Sequence, residues 1–219
     1  FKMVKIAIDG TAASGKGTLA RKLAEKYGFI HLDTGLLYRK VAYELIVKKK
    51  NTSKNLEYHS SVIARNLNFL EIKKEDLRSE ETAKLASLIA TQNKLREILN
   101  LKQKEFVEKN KKKHSGCILD GRDIGTKILP NADFKFFIDA SIEVRAKRRL
   151  LEKNISFLHE KDEKCMLKSL IKQMNDRDKL DIKRSISPLV PAQDAYVIDT
   201  TFIDADELFL RVTKLIDEN

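Results

Sequence analysis

The chain has 219 residues, 42% of them hydrophobic, and a formal net charge of +11. That length carries one sizeable core with small appended lobes, and the apolar content excludes a disordered chain. No apolar run approaches a membrane span, and the charge points to polyanionic partners: nucleic acid, a membrane surface or nucleotide phosphates.

In chain order, short β-type runs recur at 4–9, 29–32, 117–120, 134–139 and 196–199. Each is apolar over most of its length rather than alternating, the pattern of parallel strands buried on both faces. An amphipathic helix is expected over 16–27, regular helices over 81–90 and 95–107, and a last helix over 204–217. That last helix opens with Asp204 and Glu207 in capping-box spacing, and Leu208, Val212, Leu215 and Ile216 fall on one face. No glycine occurs between Gly35 and Gly116 and no proline before Pro130, so helix after helix is expected there. That stretch is too long for a simple crossover and is read as a lobe over the sheet. Alternating strand and helix gives the expected fold class: a doubly wound α/β domain around a five-stranded parallel sheet.

Lys48-Lys49-Lys50 and Lys111-Lys112-Lys113 lack interleaved aromatics and read as solvated helix ends, not a nucleic-acid groove. Cys117 and Cys165 are isolated and read as reduced thiols. With no signal-peptide layout ahead of the first motif, a cytoplasmic protein is expected.

Three of the eight glycines fall within residues 10–17. The stretch runs Gly10, Thr11, Ala12, Ala13, Ser14, Gly15, Lys16, Gly17, Thr18, after an expected strand and before an expected helix. That is the setting of a phosphate-binding loop. Its glycines let the backbone wrap phosphates, its N–H groups and the helix N-terminus supply positive potential, and Lys16 reaches the β- and γ-phosphates. Thr18 lies near the place of a Mg²⁺ ion, whereas Gly17 occupies the more usual hydroxyl position.

Two further motifs follow strands, where a doubly wound sheet places its ligands: Asp33-Thr34-Gly35-Leu36-Leu37-Tyr38-Arg39 and Asp120-Gly121-Arg122-Asp123-Ile124-Gly125-Thr126. Arginine grips a phosphate bidentately, and aspartate accepts from a base amino group. The competing reading of Arg122-Asp123 is a structural ion pair, and that of Arg145, Arg148 and Arg149 is a solvated helix face. Arg177 to Arg184 alternate with aspartates ahead of Pro188 in an expected turn.

GTAASGKGT, LDTGLLYR, LDGRDIGT and RDKLDIKRSISPL, in this order along nearly the whole chain, together resemble the bacterial cytidylate kinases. The resemblance implies transfer of the ATP γ-phosphoryl group to CMP or dCMP, with Mg²⁺. It implies that Gly10 through Thr18 hold ATP and that Arg39, Arg122 and Arg184 hold the acceptor phosphate. Ser87, Arg96 and Asp123 then read the cytosine, Arg177 and Asp181 contact the sugar, and Thr34 stands near the acceptor. Lys16, Arg122, Arg148 and Arg184 surround the transferred group, and Thr18 serves the metal. It also implies three parts: a core (about 1–35, 115–147 and 175–219), a monophosphate lobe (about 36–114) and a lid (about 148–174) that starts at Arg148-Arg149. One departure is segment 51–78, which is short and free of glycine and proline where many bacterial members carry a longer insert. The alternatives are a kinase of the same fold acting on UMP or another small acceptor, and a nucleic-acid-binding ATP switch. A monomer is expected, with no nucleic acid or membrane as partner, because no apolar stripe is left over once the core is filled.

Overall fold

Val4 to Gly10 form β1, the middle of the sheet, and a computed structural model places every other strand relative to it. It describes residues 2–52, 54–68, 77, 79–152 and 159–218; parts of the expected lid (153–158) and of segment 51–78 lie outside these. The strands β2 (Ile30–Asp33), β3 (Gly116–Gly121), β4 (Phe134–Asp139) and β5 (Tyr196–Asp199) complete an all-parallel sheet in the order β2-β3-β1-β4-β5. The five expected strands therefore form, with their ends shifted by at most one residue.

Alternate residues of the central strands enter opposite cores, which is why apolar residues predominate in these runs, with Lys5, Asp9, Asp120, Lys135 and Asp139 the charged exceptions. Ala7, Cys117 and Leu119 join one core with Leu37, Val41, Leu95 and Leu99, whereas Ile6, Ile8 and Ile118 join the other with Leu19, Leu23, Leu208 and Val212. Burial pushes the Cys117 thiol up to about 11; Cys165 is exposed.

β5 departs from the expectation of burial on both faces. It is an edge strand, paired only with β4, and Tyr196 and Val197 are exposed. Phe202 and Leu210 nearby in sequence are exposed as well, so the core does not take up every apolar side chain.

Helix α1 (Lys16–Tyr27) links β1 to β2 and ends at Gly28 in a left-handed cap. Among the described residues four helices separate β2 from β3: α2 (Gly35–Val47), α3 (Leu56–Arg65), α4 (Glu80–Ile89) and α5 (Asn93–Asn110). They build the expected helical lobe, and both lysine runs are exposed at its helix ends. Ser79 caps α4 by accepting from Thr82 N at 3.1 Å.

After β4 come α6 (Ile142–Leu151) and α7 (Glu160–Lys183). The two pack through Ala146, Leu150, Leu170 and Met174. The chain closes with α8 (Ala205–Asp217), where Asp204 Oδ1 accepts from Asp206 N (2.9 Å) and Glu207 N (2.8 Å). Only half of the expected capping box forms, because Glu207 pairs with Arg211 instead of turning back. Among the described residues no helix is long and apolar enough to cross a membrane.

Candidate active site

The loop between β1 and α1 is set by backbone geometry. Gly10 has φ +148°, and a Cβ there would lie 1.9 Å from the Ile138 carbonyl oxygen on β4, so only glycine fits. Gly15 caps α1 with φ +98° and no side-chain hydrogen bond, and the first turn of α1 carries no acidic residue. The loop's carbonyls are bound by its own side chains and by side chains of neighbouring elements. Ser14 Oγ (3.0 Å) and Lys16 Nζ (3.2 Å) donate to Thr11 O, Arg145 Nη1 to Ala12 O (3.3 Å), and Thr200 Oγ1 to Ser14 O (2.9 Å). Thr11 Oγ1 donates to Asp139 Oδ1 at 2.6 Å, which anchors the loop to the end of β4. With carbonyls engaged behind it, the loop presents N–H groups and a helix N-terminus to an anion.

Desolvation by the surrounding loop, helped by the nearby Arg122, holds the Lys16 ammonium down at about 7; Asp120 and Asp33 oppose that shift. Burial and the neighbouring Asp120 raise the Asp33 carboxyl above its ordinary range. Asp120 Oδ1 stands 2.6 Å from His31 Nε2 and accepts from it when that nitrogen carries the proton, and Asp120 Oδ2 lies 3.7 Å from where a Cβ on Gly17 would stand. Thr18 Oγ1 accepts from Arg21 at 3.1 Å. No cluster of three or more His, Cys, Asp or Glu side chains suited to a metal occurs among the described residues. The donors present are one hydroxyl and two crowded carboxylates beside the loop. That set fits Mg²⁺, which takes one or two carboxylates plus substrate phosphates rather than an all-protein cage.

Facing the loop is a cluster of arginines. Arg122 Nε donates to Asp181 Oδ2 (3.0 Å) and Arg184 Nη1 to Asp181 Oδ1 (3.4 Å), so one buried carboxylate aligns two guanidinium groups. Burial, with repulsion from Arg122, Arg39 and Arg149, lowers the Arg177 guanidinium to about 10, against the pull of Asp181. Burial and Arg149 likewise depress Arg39, which donates to Leu77 O at 2.9 Å. Arg177 Nε and Arg184 Nη2 are buried without a hydrogen-bond partner among the described residues. A dianionic phosphate would supply those bonds and relieve the repulsion.

A third group lies beside the cluster. Arg96 Nη2 donates to Asp123 Oδ2 at 2.7 Å, and its guanidinium sits 5.5 Å over the Tyr38 ring. The Tyr38 hydroxyl is buried without a partner, and burial pushes it up to about 12. Asp9, raised to about 6 by burial, accepts from Ile124 N (2.8 Å) and Gly125 N (2.7 Å) and so fixes the turn that presents Arg122 and Asp123.

The structure rearranges several expectations. Arg122 and Asp123 do not pair with each other; each takes a different partner, Asp181 and Arg96. Arg145, Arg148 and Arg149 are not a solvated face, because α6 packs on α7 and draws Arg145 inside. Arg148 donates to Thr200 Oγ1 (2.9 Å) and Thr200 O (2.6 Å), which ties it to the turn after β5; Arg149 is the neighbour of the arginine cluster. Arg177 and Asp181 stand one helical turn apart within α7, not in a turn, and only Arg184 caps it. Ser87 spends its hydroxyl on Ala83 O (3.1 Å), and Thr34 Oγ1 donates to Asp120 O (2.9 Å). The sequence reading assigned no role to Tyr38, Asp33, Asp120, His31 or Thr200. For Asp33 and Asp120 the signal was there, since both end strands beside a motif.

A model of the cytidylate kinase family matches residues 6–218. A cytidylate kinase of Bartonella tribocorum is 42% identical over 217 residues, 99% of this chain and 96% of that one. That of Paramagnetospirillum magneticum is 42% identical over 211 residues, 96% of each chain. Solved structures share the fold at low identity. An uncharacterized protein from Eubacterium ventriosum aligns with TM-score 0.53 at 16% identity, covering 99% of this chain and all (100%) of that one. A protein from Thermus thermophilus aligns with TM-score 0.52 at 14% identity, covering 100% of both chains. A phosphate loop facing an arginine cluster across one crevice, on a sheet matched end to end by these relatives, makes this chain a member of the cytidylate kinase family, enzymes that phosphorylate a nucleoside monophosphate.

Proposed function

We propose that the enzyme moves the γ-phosphoryl group of ATP in line onto the phosphate of CMP or dCMP. The observation that carries this is the meeting of Lys16 with Arg122 and Arg177, which brings the nucleotide loop and the acceptor arginines within electrostatic reach of one another. Phosphoryl transfer asks the protein mainly for alignment and for neutralisation of spreading charge. Lys16 and the loop N–H groups hold the triphosphate. Arg39, Arg122, Arg177 and Arg184 hold the acceptor phosphate, with Asp181 keeping two of them in register and meeting the sugar. The acceptor phosphate is already anionic, so no general base is required. Thr18, Asp33 and Asp120 are the residues that would hold Mg²⁺, which would supply further neutralisation of phosphate charge when bound.

Base selection falls to Asp123 with Arg96. An ionised carboxylate accepts but cannot donate, which suits the cytosine amino group and opposes the uracil carbonyl. On this reading the enzyme works as a monomer in the cytoplasm on small-molecule substrates. The acidic Asp123 and Asp181 among the arginines speak against a nucleic-acid groove.

A coupled assay with ATP and a panel of CMP, dCMP, UMP, AMP and GMP tests the proposal. CMP and dCMP should exceed UMP in kcat/KM by roughly tenfold to a hundredfold, the worth of one unpaired buried polar group at ~1–3 kcal/mol. Equal use of UMP would overturn the base assignment.

A further inference from the structure

Arg145 takes no part in holding a phosphate, yet its buried guanidinium spans three elements. Nε donates to Ala140 O at the end of β4 (2.8 Å), Nη1 to Ala12 O at the crest of the nucleotide loop (3.3 Å), and Nη2 to Asp178 Oδ2 on α7 (2.7 Å). Asp178 is buried too, and its Oδ1 has no partner. It follows Arg177 directly and precedes Asp181 by three residues on the same helix. Around the pair, Ala12 and Ala13 of the loop pack against Ala146, Leu150, Leu170 and Met174 of α6 and α7. The loop crest is therefore linked to α7 through Arg145 of α6, by a hydrogen bond at the loop end and an ion pair at the α7 end, with apolar packing around them.

Stability does not account for that pair. Burying two charges costs about as much as their attraction returns, and apolar residues of similar size commonly do as well. Geometry does account for it. The guanidinium is a planar fork with fixed angles between its donors, so a shift of the Ala12 carbonyl is passed on to Asp178. We propose that Arg145 and Asp178 are positioning residues that couple occupancy of the nucleotide loop to the placement of Arg177 and Asp181. Filling the loop sets the acceptor side, and by reciprocity an acceptor tightens the loop. This rests on the reading of the loop as the ATP site and of α7 as acceptor-binding.

The test is titration calorimetry of CMP with and without a saturating non-hydrolysable ATP analogue and Mg²⁺, and the reverse titration, alongside kcat and both KM values. Wild type should bind CMP more tightly with the analogue present, by a factor in the usual coupling range of roughly 5–150, and the reverse titration should give the same factor. Asp178→Asn keeps the shape and removes the charge. It should bring that factor toward one and raise the CMP KM at saturating ATP, with CMP affinity alone near wild type. Arg145→Met combined with Asp178→Leu removes both buried charges together. It should melt close to wild type and still lack coupling, which keeps the proposal testable should Asp178→Asn fold poorly. Recovery of coupling along with stability in that double variant would reduce the pair to a structural role. A wild type that binds both nucleotides without coupling overturns this inference alone. A wild type that binds neither overturns the substrate reading and this inference with it.

Discussion

In the proposed function, nine consecutive residues, Gly10 to Thr18, form the nucleotide side of the crevice, and the acceptor side is built differently. The acceptor side is assembled from Arg39 on α2, Arg96 on α5, Arg122 and Asp123 after β3, and Arg177, Asp181 and Arg184 at the end of α7. The two sides also differ in how their polar groups are satisfied. Loop carbonyls Thr11, Ala12 and Ser14 all have donors within the protein, whereas Arg177 Nε, Arg184 Nη2, Arg96 Nε and the Tyr38 hydroxyl are buried and unpartnered. The difference teaches that one side is a rigid backbone mould complete before its ligand arrives. The other stores like-charge repulsion and unmade hydrogen bonds that an anion completes.

The comparison can be broken hardest at Lys16, a loop side chain within electrostatic reach of Arg122 and Arg177. Lys16→Ala removes a charge from the transferred group and should lower kcat by roughly 10² to 10³, about 3–4 kcal/mol, with the fold retained by circular dichroism. A kcat near wild type with ATP and CMP would show that the loop does not hold the transferring phosphate.

The mould itself is probed by two glycines. Gly10→Ala drives a Cβ to 1.9 Å from a backbone oxygen, whereas in Gly17→Ala the nearest atoms, on Arg21 and Asp120, are an ordinary 3.7 Å away. Backbone strain and overpacking together should cost Gly10→Ala about 2–4 kcal/mol in urea unfolding, with Gly17→Ala close to wild type. Equal midpoints would contradict the description of a loop defined by backbone contact.

On the acceptor side the measure is selectivity rather than folding. Asp123→Asn leaves a group that both donates and accepts, so the CMP-to-UMP ratio of kcat/KM should fall by roughly tenfold or more, a change of about 1–3 kcal/mol. The variant also leaves Arg96 short of its charged partner, so a lowered melting temperature should accompany the change. An unchanged ratio would leave Asp123 as nothing more than the anchor of Arg96.

The smallest effect reports on the junction of the two sides. Lys16 falls from 10.5 to about 7 in the folded chain, so between those values the unfolded chain binds the extra proton. Its contribution to stability therefore rises as pH climbs from about 7 toward 10.5, and is at its least favourable below 7. Nucleotide phosphates favour the charged ammonium, so ATP binding near pH 8 should take up close to one proton in calorimetry across buffers of different ionisation enthalpy. Lys16→Met should abolish that uptake. Uptake that persists in this variant would assign the proton elsewhere.

The strands, the sheet class and the nucleotide loop were legible in the residues alone because each depends on neighbours close in sequence. Val4 to Gly10 is apolar apart from Lys5 and Asp9, Gly10 and Gly15 need backbone angles that other residues resist, and Lys16 opens a helix whose apolar positions recur on one face. Arg39, Arg122, Arg177 and Arg184 could be named by motif, but not their partners. The choice of Asp181 over Asp123 for Arg122, of Arg149 over Arg148 for the cluster, and of Asp178 for Arg145 depends on where α6 and α7 come to rest. Asp and Arg side chains carry no periodic signature that says which one each will meet. Packing of Ala146, Leu150, Leu170 and Met174 sets the faces of the two helices, and the charges pair with whatever that packing brings within reach.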